Sequence, residues 1–225
     1  MPPNTIFSFS EFWEIISMVE VEKIIDLLRH SESLKNIDRS GWVLSGADSE
    51  RKESVAEHSY GSIISSIIIA QSLKSTNTAI NIEKVVIMAT LHDLPESITG
   101  DIARTNEFLA NQESVRAKEL AEKNAIESIF EPLGAHFEEL VYIWKEFNLG
   151  ESLEARVVKG ADIIDMLLHA RSLEKSGTSP QTLHQFFKSS MSLVDSVDIE
   201  IVSEIYNTLC KEHEQEANTQ NIVLR

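Results

Sequence analysis

The sequence predicts an all-α protein built as one helical domain, and three observations carry that expectation. Apolar residues recur at helical spacing along almost the whole chain. Alternating apolar and polar runs bounded by Gly or Asn turns are nearly missing. Hydrophobic residues make up 42% of the 225, the share a packed globular domain requires. A chain of this length buries about 70% of the surface its unfolded form exposes, so neither disulfides nor a structural metal are needed to hold it. No internal repeat, low-complexity block or linker divides it, and residues 1–225 read as a single domain.

Phe9, Phe12, Trp13, Ile16 and Val19, followed by Ile24, Leu27 and Leu28, predict one or two opening helices. A loop rich in Ser, Gly and Asp is expected from Leu34 to Lys52. Ser54 is an N-cap candidate with Glu57 as its capping-box partner, which sets His58 in the first turn of the next helix. Tyr60, Ile63, Ile64, Ile67 and Ile68 mark the expected inward face of that helix. The next helix runs over about 82–94 on Val85, Val86, Met88, Ala89 and Leu91, carries His92 and Asp93 in its last turn, and is interrupted by Pro95. Gln112 to Phe130 and Phe137 to Phe147 predict two amphipathic helices separated by Pro132-Leu133-Gly134. Ser152 to Lys175 is the longest periodic segment, with Leu153, Val157, Ala161, Ile164 and Leu168 on one stripe and Asp162 beside it. Gly177 and Pro180 close it, two further helices run to about Glu216, and the polar tail 217–225 is expected to fray.

Charge and composition exclude several classes of function. Twenty Lys and Arg against 36 Asp and Glu leave a net charge of −16, which repels a duplex phosphate backbone. Duplex nucleic acid is therefore not an expected partner. The longest strongly apolar stretch, Ile63 to Ala70, falls far short of the roughly 20 residues a membrane helix needs, so no membrane span is expected. Cys210 is the single cysteine and the first residues lack a basic start and an apolar run, which points to a cytoplasmic protein. Any bound metal is then functional.

Candidate chemistry begins where imidazole or carboxylate groups fall on otherwise apolar helices: His58, the pair His92-Asp93, and Asp162. The spacings are 34 residues from His58 to His92 and 69 from Asp93 to Asp162, so three separate helices would have to deliver them. Two neutral imidazoles and two carboxylates suit one divalent ion, with Mg²⁺, Mn²⁺ or Co²⁺ first and Zn²⁺ or Fe²⁺ also compatible. Such a set leaves coordination positions open for water and substrate. Spacing by itself is equally compatible with histidines satisfied in a core.

The text around these residues narrows the reading. Arg39-Ser40-Gly41-Trp42, Glu53-Ser54-Val55-Ala56-Glu57-His58-Ser59, Leu91-His92-Asp93-Leu94-Pro95-Glu96, Thr99-Gly100-Asp101 and Glu154-Ala155-Arg156-Val157-Val158-Lys159-Gly160-Ala161-Asp162 follow one another in that order. The sequence resembles the HD-domain metal phosphohydrolase superfamily, and within it the 5′-deoxynucleotidase branch, over a motif-bearing core of about residues 34–176. The resemblance implies an HD-type helical bundle in which His58, His92, Asp93 and Asp162 bind the metal. It also implies catalytic or substrate-contacting roles for Glu96 and Asp101, and substrate contacts for Arg39, Trp42 and Lys159. The implied reaction is direct attack of water on phosphorus, converting a nucleoside 5′-monophosphate to nucleoside and phosphate.

The chemistry fits those residue types. A divalent cation acidifies water and offsets charge on phosphoryl oxygens, Glu96 can orient water or take its proton, and Asp101 can assist the leaving oxygen or hold the sugar. Arg39 offers a planar fork for phosphate oxygens and Trp42 a flat apolar wall. Asp165, one turn beyond Asp162, could replace it on spacing alone, but it lacks the Lys159-x-x-Asp162 setting and reads as an acid beside the site or facing solvent. The stretch between Trp42 and His58 is longer than is usual in the family, which keeps hydrolysis of nucleoside di- or triphosphates open, including a dNTP triphosphohydrolase. A non-catalytic nucleotide-binding module is the alternative from another class. Homodimers are common among the proteins resembled, although no stretch of this sequence marks an interface. His30, His136, His169, His184 and His213 match no motif and are expected at the surface or beside the site. Met88, Met166, Trp13 and Trp144 read as core filling and Cys210 as a small buried residue.

Overall fold

The computed structural model describes residues 9–47, 52–103, 105, 108, 110–220 and 222–224, with the side chains of 9–20 and of 136 outside that description. The Trp13 assignment and part of the long segment before His58 therefore lie outside it. Ten helices are described: α1 (Phe9–Ser33), α2 (Ser40–Ser45), α3 (Val55–Ser75), α4 (Ile82–Leu91), α5 (Glu96–Thr99), α6 (Gln112–Phe130), α7 (Glu138–Leu149), α8 (Leu153–Lys175), α9 (Pro180–Val197) and α10 (Glu200–Thr219). Short 3₁₀ turns at Leu34–Asn36, Glu131–Leu133 and Ala135–Phe137 link them. Among the described residues extended pairing is limited to one antiparallel bridge, Asp38 with Ser54, so the all-α expectation holds.

Side-chain burial makes α8 the hub. It buries Val157, Val158, Ala161, Ile163, Ile164, Leu167 and Ala170, and α3, α4, α7, α9 and α10 all pack on it. Leu168, expected on its buried stripe, is instead 46% exposed. A second apolar cluster, Leu34, Val55, Leu91, Leu94, Ile126, Ile129, Phe130 and Trp144, seals the end of the bundle where α4 gives way to α5.

The capping box forms as expected. Glu57 N donates to Ser54 Oγ at 3.2 Å and Ser54 N donates to the Glu57 carboxylate at 2.9 Å. The loop expected before it is partly helical, because α2 and a 3₁₀ turn fall within 34–52. Arg39 N donates to Glu53 O at 2.9 Å and Val55 N to Ile37 O at 2.8 Å, tying this segment to the start of α3.

The inward face of α3 is corrected. Val55, His58, Ser62, Ser66, Ile69 and Ala70 are buried, whereas Tyr60, Ile64 and Ile68 are 69%, 41% and 62% exposed. The buried face of this helix combines small residues with Ile69, and Ile63 packs against the same core. The last helix continues past Ala217, where the frayed tail was expected to begin, because Ala217 is buried against the bundle and Ile222 N donates back to its carbonyl at 2.9 Å.

His213, expected at the surface or beside the site, lies in neither place. It is buried between α8 and α9, stacked on Phe187, with Nδ1 on Glu174 and Nε2 3.1 Å from His184 Nδ1. Arg171 pairs with the same Glu174. Burial, then Arg171, lowers the His213 pKa to about 4, so a neutral ring donates Nδ1–H to the carboxylate and binds three helices together.

Candidate metal centre

Two helix ends and the middle of a third helix deliver the four candidate ligands to one point. His58 comes from the capped first turn of α3, His92 and Asp93 from the turn that ends α4, and Asp162 from the middle of α8. His58 Nε2 is 2.8 Å from Asp162 Oδ1 and 3.7 Å from Asp93 Oδ2, and His92 Nε2 is 3.2 Å from Asp93 Oδ2. One ligand atom each from His58, His92 and Asp93 fits within a 4.8 Å span, and Asp162 joins through its contact with His58.

Both imidazoles are fixed from behind. His92 Nδ1 donates to the Ala89 carbonyl at 2.8 Å, while Trp144 Nε1 donates to His92 O at 3.2 Å. His58 Nδ1 donates to Asp165 at 2.8 Å. Each Nε2 is thereby aimed at the shared point, and His92 Nε2 and Asp93 Oδ2 are buried with no hydrogen-bond partner. Polar atoms orphaned in a protein interior are costly unless something completes them, and two imidazole nitrogens beside two carboxylates are a donor set that a divalent cation completes. The residues present fit such an ion.

The carboxylates around the two imidazoles favour their protonated form. Against the burial and the Arg39 charge that oppose it, the hydrogen bonds to Asp162 and Asp165 raise the His58 pKa to about 10. His92 is raised too, with Asp93 overcoming burial. Burial works against the charge on Asp162, yet its bond with His58 brings it down to about 2, and the nearby His92 and Arg39 charges likewise lower Asp93 despite burial.

The remaining expected residues divide into those at the cluster and those behind it. Glu96, first residue of α5, is 4% exposed, and Oε2 has no partner. Burial, then the Asp93 and Asp101 carboxylates, lifts its pKa well above the usual range. Arg39 lies 3.7 Å from Asp93 and 3.5 Å from Asp101, and although burial opposes its charge those two acids hold it ionised. Asp101 Oδ2 accepts from Ser40 N at 2.6 Å and from Ser40 Oγ at 3.2 Å, clamping the Arg39 segment to the loop after α5.

Trp42 does not line the cluster. It is 2% exposed, its ring 4.3 Å from that of Phe186 and its Nε1 bonded to Glu53 at 2.6 Å. Lys159 donates to Asn148 O at 3.2 Å and sits 5.6 Å over the Phe147 ring, whose edge meets His92. Lys118 is the residue sequence reasoning passed over. It is buried on α6, 2.6 Å from Glu122 and 3.6 Å from Glu96. The signal available was an i,i+4 Lys–Glu pair, a pattern common on solvated helices.

Residues 31–206 match the HD domain family. The chain belongs to that family. This HD-domain chain is 30% identical to the 5′-deoxynucleotidase HDDC2 of Homo sapiens over 183 residues, 81% of the chain and 84% of the relative. A conserved hypothetical protein from Pyrococcus furiosus shares its fold with a TM-score of 0.66 and 28% identity, over 85% of this chain and 99% of that one. An HD-domain phosphohydrolase from Listeria innocua superposes with a TM-score of 0.71 over 88% of this chain and 93% of that one; at 18% identity the likeness concerns the fold alone.

Proposed function

We propose that the protein is a divalent-metal-dependent phosphohydrolase, residues 1–225 forming one HD-type domain, that converts deoxynucleoside 5′-monophosphates to nucleoside and inorganic phosphate. The observation that carries this reading is the pair of orphaned buried atoms, His92 Nε2 and Asp93 Oδ2, facing His58 and Asp162. The sequence relation to 5′-deoxynucleotidases across four-fifths of the chain supports the substrate class. His58, His92, Asp93 and Asp162 hold one ion, with Mg²⁺, Mn²⁺ and Co²⁺ preferred over Zn²⁺ or Fe²⁺. When bound, the ion acidifies water and neutralises phosphoryl oxygens.

Glu96 orients the attacking water and accepts its proton as the P–O bond forms; its raised pKa makes it a better proton acceptor than an ordinary carboxylate. The P–O5′ bond breaks, the departing oxygen takes a proton from a solvent water that the Asp101 carboxylate orders, and the proton on Glu96 returns to solvent. Arg39, held charged by Asp93 and Asp101, binds phosphate oxygens. Trp42 serves substrate binding indirectly, by anchoring the segment that carries Arg39. Lys159 turns from the Asn148 carbonyl to a phosphate when substrate enters. The cytoplasm is the proposed compartment, and no helix among the described residues is long and apolar enough to cross a membrane. A homodimer belongs to the same reading, supported by the exposed Tyr60, Ile64 and Ile68 along α3.

A product-resolved screen of nucleoside mono-, di- and triphosphates with Mg²⁺, Mn²⁺ and Co²⁺ tests the reading. Inorganic phosphate and nucleoside from deoxynucleoside monophosphates are expected. Tripolyphosphate released from triphosphates with monophosphates untouched, or nucleotide binding without turnover under every ion, would contradict it.

A further inference from the structure

The two histidines of the cluster are oriented by unlike groups. His92 leans on a neutral backbone carbonyl, which every helix supplies, whereas His58 leans on the carboxylate of Asp165, one turn beyond Asp162 on α8. That carboxylate occupies a space created by a missing side chain. A Cβ on Gly61 would lie 1.9 Å from Asp165 Oδ1 and 2.6 Å from its Cγ, far inside contact distance. Gly61 sits one turn past His58 in the interior of α3, where glycine costs roughly 0.5–1 kcal/mol relative to alanine. Its backbone is helical, so no special φ requires it there. Room for Asp165 is the steric reason for it.

We propose that Asp165 is a positioning residue for the metal centre, that it keeps the His58 proton on Nδ1 so that Nε2 stays an open ligand, and that Gly61 exists to admit it. This rests on the reading of His58 as a metal ligand. A ring whose Nδ1–H is held by a carboxylate presents its other nitrogen in a fixed direction and with raised basicity, and losing such a partner typically weakens metal affinity by about 10–100-fold. Glu53 lies in the same neighbourhood, one carboxylate oxygen within 4.8 Å of a His58 ring nitrogen and of an Asp165 oxygen. These three groups are not a second cation site, because an Nδ1 that carries a proton has no lone pair to give. Glu53 is already engaged by the Trp42 indole at 2.6 Å and stands 3.5 Å from His169. It makes the pocket behind His58 more acidic and reinforces the same proton placement.

The test is the Mn²⁺ dissociation constant of the full chain, measured directly by equilibrium dialysis, for wild type, Asp165→Asn, Asp165→Ala, Gly61→Ala and the double variant Gly61→Ala/Asp165→Ala. Asp165→Ala is expected to weaken Mn²⁺ binding by about 10–100-fold, with Asp165→Asn between it and wild type because the amide oxygen still accepts from Nδ1. Gly61→Ala is expected to approach Asp165→Ala, since its methyl group evicts the carboxylate, and the double variant to bind no more weakly than Asp165→Ala alone. The Mn²⁺ concentration for half-maximal phosphate release should rise by the same factor, with kcat at saturating Mn²⁺ falling less, a split that general loss of structure does not produce. Wild-type affinity in Asp165→Ala would overturn the role of Asp165. Multiplicative weakening in the double variant would overturn the link to Gly61. A wild-type chain that binds no Mn²⁺ would sink the proposed function itself, and this inference with it.

Discussion

Asp162 Oδ1 and His58 Nε2 stand 2.8 Å apart across the joint between α8 and α3, and this contact closes the cluster that Asp93 and His92 begin. It joins the hub helix to a helix start whose geometry is set by two side chains, Ser54 and Glu57. The position of a candidate ligand therefore depends on a cap four residues upstream.

Removing that cap should be felt as stability. Ser54→Ala leaves Glu57 N without its side-chain acceptor and is expected to cost about 1 kcal/mol, which lowers Tm by about 2–4 °C for a chain of this size. Calorimetry checks it, and an unchanged Tm would mean the box contributes nothing.

Glu96 should separate binding from turnover. Glu96→Gln preserves volume and is expected to keep the fold and the bound metal while losing about 10²–10⁴-fold in kcat. Metal content and steady-state rates on one preparation check this; an unchanged kcat removes Glu96 from the proton transfer.

Lys118 should hold the Glu96 end of the site together. Lys118→Met leaves the buried acids Glu96 and Glu122 without their shared cation and is expected to cost about 3 kcal/mol. Denaturant melts measure this. Stability equal to wild type would show that the ion pairs with Lys118 are not needed to keep two buried acids in place.

Metal-free protein should lose stability as the medium turns alkaline. His58 has its folded pKa raised to about 10 from 6.5, so the stabilisation it supplies is complete below 6.5 and disappears as pH rises through about 10. His92, also raised, acts in the same sense. Melting temperatures in chelator should fall between pH 7 and 10, while Mn²⁺ affinity rises over the same range because the cation displaces those protons. A flat melting profile in chelator contradicts the proton-filled cluster.

What the sequence made legible follows from how local each feature is. The Ser54-x-x-Glu57 cap, the span of α6 and the Ser152 start of α8 are decided by neighbouring residues and agree with expectation. The convergence of His58, His92, Asp93 and Asp162 was legible through the ordered motifs, since bare spacing left a satisfied core equally open. The inward face of α3 was not legible, because the isoleucine stripe at Ile63, Ile64, Ile67 and Ile68 is the most apolar one, yet tertiary packing buries the neighbouring face of Ser62, Ser66, Ile69 and Ala70. Trp42 looked available because it lies in a loop-like segment, yet Phe186 and His169 arrive from helices more than a hundred residues away. Lys118 and His213 were hidden for the same reason, since their acidic partners Glu96 and Glu174 come from other elements.

Bound-metal stoichiometry read beside phosphate release, for wild type and Asp93→Ala, tests the centre most directly. One divalent ion per chain with active wild type, and both lost together in a variant that remains folded by circular dichroism, is the expected result. A folded, metal-free Asp93→Ala protein that still releases phosphate at the wild-type rate would contradict it.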